Sequence, residues 1–201
     1  MASTEYVQPI VVTRSGTHQD VIAAAALASL GAYQLFPEVP SWNQWMSGRF
    51  TKTVRRARPA QFVAATELSL VEVTVGYARA CAFAPMFPDD FPHAVSKLQV
   101  SGTNMEHAQP DTAQPGQVVV YLNQDLHMST GKSAAQASHA LWMWFLTANP
   151  TDRILWSGQL CVAQLSEPQF STQGAAAHVV VDAGLTETSP GCTTAFAKLC
   201  N

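Results

Sequence analysis

Charged side chains are scarce in this chain. Asp, Glu, Lys and Arg make up 12% of 201 residues, and the formal net charge is −3. So little positive charge speaks against nonspecific nucleic-acid binding, which draws on a basic surface. Cysteine is equally sparse: Cys81, Cys161, Cys192 and Cys200 form no C-x-x-C pair, and no histidines lie at zinc-finger spacing. A disulfide framework and a metal centre therefore have no support, and structural free thiols are expected. No apolar run reaches the ~18 residues of a membrane span, and the alanine-rich stretch 21–32 is too short, so no membrane partner is expected. The opening MASTEYVQPIVV lacks a basic region followed by an apolar core, so no secretory signal is read and a cytoplasmic location is expected.

Apolar residues make up 47% of the chain, enough for a substantial core in one large domain or two small ones. The most structured stretch is 118–145, VVVYLNQDLHMSTGKSAAQASHALWMWF. Val118 to Leu122 is a continuous apolar run after Pro115 and Gly116, which suits a strand buried on both faces. Ser129 or Thr130 can cap a following helix, and Gly131 lets backbone approach a ligand. Lys132 then falls in the first helical turn, where a cation opposes the helix dipole, so lysine and free amides together make an anion site. Lys132, Gln136, His139 and Met143 share one helix face, while Ala134, Leu141 and Phe145 share another suited to packing on a sheet. Spacing alone favours the plainer reading, a surface lysine and a satisfied histidine beside a core helix.

The order of elements repeats. Strand 7–13, helix 20–35 capped near 17–20, strand 50–56 after a Trp-rich connection and a short helix 61–67 are expected in the first half. One or two strands follow over 70–86, with helix possible across 77–82. Residues 101–117 are rich in Gly, Pro, Gln, Asn and Asp and read as a linker. The second half runs strand 118–122, helix 132–147, strand 159–165, short helix 167–175 and strand 177–181. At an offset of 109, Ala24, Ala25, Ala28 and Ser29 face Ser133, Ala134, Ala137 and Ser138, but Lys132, Gln136 and His139 face Ala23, Leu27 and Leu30. The expectation is an α/β fold of two pseudo-repeated lobes: mixed sheets flanked by helices on both faces, with the first lobe (1–104) a degenerate copy, a linker (105–116), and the functional lobe at 117–201. Such a chain is either a monomer whose halves form an intrachain pseudo-dimer or a homodimer.

A family resemblance adds to this. DLHMSTGKSAAQASHA is similar to the signature D-[LI]-K-M-G-K-G-K-x-A-A-Q-x-[AS]-H-A of the archaeal and eukaryotic type of peptidyl-tRNA hydrolase. It matches at Asp125, Leu126, Met128, Gly131, Lys132, Ala134, Ala135, Gln136, Ser138, His139 and Ala140. Near the C-terminus, DAGLTETSPGCTT resembles the family's D-A-G-x-T-[QE]-[ILV]-x-P-G-[ST]-x-T through Asp182, Ala183, Gly184, Thr186, Glu187, Pro190, Gly191 and Thr194. The resemblance covers residues 115–201.

It implies hydrolysis of the ester joining a peptide to tRNA, with peptidyl-tRNA as partner and no cofactor. Lys132, Asp182, Thr186 and Thr194 match positions implicated in the family's active site, and Gly131, Gln136, His139 and Gly184 are expected around the substrate. His139 is read as a hydrogen-bonding residue, not the base. Departures accompany the matches. Two loop lysines of the pattern are His127 and Thr130 here, the Gly-Ile-Gly-Pro segment and closing strand are replaced by AFAKLCN, and residues 115–201 carry three basic against five acidic side chains. Five cations, Arg49, Lys52, Arg55, Arg56 and Arg58, lie in the other half, either as a partial tRNA grip or as charges on a solvated edge strand. Three readings stay open: an active hydrolase or related esterase, a noncatalytic module for RNA, protein or a small anion, and a fold whose motif residues serve packing.

Overall fold

The computed structural model describes residues 5–109, 112–175, 177–184 and 187–201. Its first half contains β1 (Gln8–Thr13), α1 (His18–Leu35), α2 (Ser41–Ser47), β2 (Lys52–Ala57), α3 (Pro59–Thr66), β3 (Val71–Val75), β4 (Ala78–Ala82) and α4 (His93–Ser96). The second contains β5 (Val118–Asn123), α5 (Thr130–Thr147), α6 (Pro150–Leu155), β6 (Leu160–Leu165), α7 (Glu167–Gly174), β7 (Val180–Val181) and β8 (Thr193–Leu199).

Each half builds one four-stranded mixed sheet, ordered β2-β1-β4-β3 and β6-β5-β8-β7. The pairing senses agree as well: β1/β2 and β5/β6 are parallel, and the other pairs are antiparallel. The two lobes are therefore similar, as the repeated order of elements suggests. In both, the middle of the first strand is a continuous apolar run because both its faces are covered; Ile10, Val11, Val12, Val118 and Val120 are fully buried.

Sheet one carries α1 on one face. On the other, Phe62 and Ala65 of α3 pack with Val11, Cys81, Phe83 and Phe91 in a separate small core. Sheet two carries α5 on one face, and on the other Phe170 of α7 lies against Phe196, ring centroids 5.0 Å apart. The lobes meet through α1 and α5. Ala23 to Ala26, Ala28 and Ala32 of α1 and Ala134, Ala137 and Ala140 of α5 are buried, and one apolar core runs across both lobes. A helix buried on all sides reads apolar all round, which is why α1 shows little amphipathic pattern. Short alanine side chains also let two helix backbones approach closely.

Both helices are capped by side chains. Thr17 and Asp20 form a reciprocal capping box on α1, and Ser129 Oγ accepts from Lys132 N–H at 3.2 Å on α5. The caps lie 112 residues apart, so the place of Lys132 is held in lobe one by Asp20, not by Ala23 as the gapless offset of 109 has it.

Several expectations need correction. Residues 77–82 form no helix: β3 and β4 make a hairpin through Gly76 (φ 53°) and Tyr77, and β4 is held between β1 and β3, so ladder pairing overrides the helix propensity of its alanines. AFAKLCN does not replace the closing strand; it lies largely within β8, paired to β5 and β7. The last predicted strand shrinks to Val180–Val181. The short helices α2, which follows Pro40, and α6, which begins with Pro150, were not expected. The 101–117 segment has no regular element in its described part. Even so, it is fixed to both lobes: Glu106 C=O accepts from His18 N–H at 2.7 Å and Thr103 C=O from Gly131 N–H at 3.2 Å.

Candidate active site

β5 ends at Asn123, and a single 3₁₀ turn, Gln124–Leu126, carries the chain to His127, whose left-handed backbone (φ 47°) redirects it into the α5 cap. Glu187 then binds that cap: Ser129 N–H and Oγ–H donate to its two carboxylate oxygens at 2.8 and 2.6 Å. A carboxylate at a helix N-terminus is favoured by the dipole, which partly offsets the unfavourable cation in the same turn.

Lys132 faces Asp182. The ammonium and carboxylate oxygen lie 2.5 Å apart, and the side chains are only 9% and 5% exposed. Gln136, one turn along α5, donates Nε2–H to the same carboxylate at 2.5 Å, while its Oε1 accepts from the fully buried Thr194 hydroxyl at 2.8 Å. The other carboxylate oxygen accepts the Gly184 backbone N–H at 2.6 Å. Burial pushes the Asp182 carboxyl up, but hydrogen bonds from Lys132 and the Gly184 backbone, with the Lys132 charge, outweigh it and hold the group below the usual carboxylate range.

Gly184 is required by geometry. Its φ is 74°, and a Cβ would come within 2.3 Å of Pro190. The turn that folds back onto Asp182 thus depends on both Gly184 and Pro190.

Of the residues singled out from the sequence, Lys132, Asp182, Gln136, Thr194 and Gly184 converge in one hydrogen-bonded cluster. Thr186 lies outside the described residues. Two others stand apart from the cluster. Gly131 makes room for the connecting segment, since a Cβ there would sit 3.3 Å from Thr103 Cβ. His139 is turned into the lobe interface, with Nδ1 3.3 Å from Lys52 Nζ. Burial and the nearby Lys52 charge lower its basicity well below the usual histidine range.

The cationic cluster of lobe one is largely committed to intramolecular contacts. Arg55 donates to the carbonyls of Ser96 and Leu98, both at 3.0 Å, and Arg56 to Gly102 C=O and the Gln99 side chain. Lys52 is buried among Trp45, Phe50 and Trp142, which leaves Arg49 and Arg58 projecting outward. Among the described residues, no group of three or more His, Cys, Asp or Glu is arranged to hold a metal, and no helix is long and apolar enough to cross a membrane.

Sequence reasoning missed His18. It belongs to the half without the signature, yet its ring meets the first residue of α5: Nδ1 lies 2.9 Å from Thr130 Oγ1. No local pattern marks it, because the contact spans 112 positions and both lobes.

Residues 117–198 match the family model of the peptidyl-tRNA hydrolase PTH2, so the second lobe is a PTH2-type region. No curated protein and no solved structure gave a match.

Proposed function

We propose that the PTH2-type lobe hydrolyses the ester between a peptide, or an N-blocked amino acid, and tRNA, with Lys132, Asp182, Thr186 and Thr194 as its working residues. The observation that carries this reading is the buried Lys132–Asp182 pair, held by Gln136 and Thr194 where β7 ends. The C-terminal ends of strands are where open α/β sheets bind ligands.

In the reaction, water adds to the ester carbonyl, whose oxygen takes up the developing negative charge. The bond to the ribose oxygen then breaks, and that oxygen takes a proton, leaving free acid and free hydroxyl. Lys132 supplies the cation for the oxyanion. Asp182, held ionised, orients the lysine and the attacking water. Thr194 acts through Gln136 as a positioning residue, since its hydroxyl is spent on the amide. Gly184 shapes the loop, and Gln136 fixes the carboxylate. On this reading the chain is a duplication, with a degenerate copy at 1–104, a connection at 105–116 and the catalytic lobe at 117–201, and it serves translation in the cytoplasm.

A second reading, a noncatalytic module that binds RNA, protein or a small anion, is favoured by two features. The ion pair keeps only 9% and 5% of its side-chain exposure, and His127 and Thr130 stand where the signature has lysines.

The deciding experiment follows release of N-blocked amino acid from charged tRNA. Wild type is expected to be active, and Lys132→Ala and Asp182→Asn to lose roughly a hundredfold or more. An inactive wild type, or variants as active as wild type, overturns the hydrolase reading.

A further inference from the structure

A cavity of about 740 Å³ opens at the N-terminal end of α5, on the side of the helix away from Lys132. That volume falls in the range of roughly 300–1,000 Å³ typical of small-ligand clefts. Both lobes and the connection between them line it, with His18 from α1, Asn104 and His107 from the connection, and Gln124, Ser133 and Gln164 from lobe two.

We propose that this cavity binds the terminal nucleoside of an RNA chain, its base stacked on His107 and its edge read by the amides of Asn104 and Gln124. The proposal rests on the tRNA-ester reading above, whose substrate ends in such a nucleoside; cavity and candidate cluster share the N-terminal end of α5, Ser129 and Glu187 lining the one and Lys132 belonging to the other.

Three observations support a planar, uncharged, hydrogen-bonding ligand. First, His18 and His107 are already stacked, ring centroids 4.0 Å apart and planes 23° from parallel; His18 is buried and His107 exposed, so the outer face of His107 is open. Aromatic and histidine rings of this kind are platforms for unpaired bases. Second, the stack is fixed from below. The Gln164 amide nitrogen lies 3.3 Å from His18 Nε2, making that atom the acceptor and leaving the ring proton on Nδ1, which donates to Thr130 Oγ1. Thr130 Oγ1 also accepts from Met105 N–H at 3.0 Å, which anchors the connection that carries His107. Third, among the described residues no lysine or arginine lines the cavity, while Glu187 does. A phosphate inside would meet a carboxylate and no cation, so the wall suits a nucleoside with its phosphate outside the mouth. The side chains of Asn104 and Gln124 make no hydrogen bond among the described residues, and an amide is the side-chain group that pairs with both edge atoms of adenine.

The test is binding, separate from catalysis. Titration calorimetry with free adenosine and with an RNA trinucleotide ending in adenosine, on the full chain, is expected to show both binding, the trinucleotide at least as tightly. His107→Ala is expected to weaken both about tenfold or more, and His107→Trp to restore them. His107 is exposed, so neither variant threatens the fold. Absence of binding, binding unmoved by His107→Ala, binding of adenosine without the trinucleotide, or tighter binding of inorganic phosphate than of adenosine each overturns the proposal. Lys132→Ala leaves adenosine binding intact, so a failed hydrolase assay and a failed nucleoside site give different patterns.

Discussion

Burial fixes the charge states of the ionisable side chains where the lobes meet. His18 is 1% exposed, and desolvation, with the nearby His107 adding to it, pushes its pKa down to about 4. The unfolded chain takes up that proton near the ordinary value of 6.5, so between the two values the unfolded state holds more protons. Stability accordingly falls as pH drops from 6.5 towards 4, by up to about 3 kcal/mol for this residue. His18→Asn is expected to flatten part of that slope in urea titrations across this window, with His139, also held neutral, keeping the remainder. Lys52 is the converse problem of a cation out of water: 8% exposed, over the Phe50 ring at 3.6 Å, and without a carboxylate partner among the described residues. Burial drives its pKa well down. Ring attraction recovers only part of the desolvation cost. Lys52→Met, similar in length and apolar, is expected to raise stability by about 1 kcal/mol or more at neutral pH, read from thermal unfolding.

At the scale of elements, the lobes differ at the proposed site. In lobe one, β3 passes to β4 through Gly76 and Tyr77, a turn so tight that a Cβ on Gly76 would sit 2.8 Å from the Asp20 carboxylate. In lobe two, residues 182–192 occupy the corresponding connection between β7 and β8, and Asp182 faces Lys132 from it. The first lobe therefore has neither the loop nor the lysine of the second. Gly184→Ala is expected to destabilise the fold by roughly 1–3 kcal/mol, because an L-residue would enter the left-handed region and collide with Pro190. It should also lower any hydrolytic rate by disturbing the Gly184 N–H bond to Asp182, so denaturation and turnover together check it.

These elements also show what the sequence could convey. The apolar run at 118–122 and the caps at Thr17 and Ser129 were legible because each depends on neighbours or on fixed spacing, whereas the meeting of Lys132 with Asp182, 50 residues apart, was implied only by the family resemblance of the two motifs. β4 was not, because its alanines take strand form only through pairing with β1 and β3. Nor was the arginine pattern at 49–58. Its charges suggest a surface for phosphates, yet Arg55 and Arg56 spend their donors on carbonyls of residues 96–102, partners that only the fold brings near.

At the scale of the molecule, one residue ties the lobes most visibly. Trp142 of α5 is fully buried, donates to Ser29 Oγ at 2.9 Å, and is surrounded by Trp42, Trp45 and Phe50 with ring centroids 5.1 to 5.7 Å away. Trp142→Ala is expected to cost roughly 3–5 kcal/mol. If the shared core makes the lobes one cooperative unit, wild type melts in a single calorimetric transition, and this variant melts lower, with the two lobes beginning to separate into distinct transitions.

The α1–α5 contact, finally, joins two parts of one polypeptide. Separate subunits meeting through such a surface would come apart on dilution, by mass action. Here each lobe meets the other at a local concentration set by a connection laced to both helix starts, through Glu106 to His18 and Thr103 to Gly131. The cavity lined by His18 and Ser133 is thus assembled at any protein level, however few copies of the chain are present.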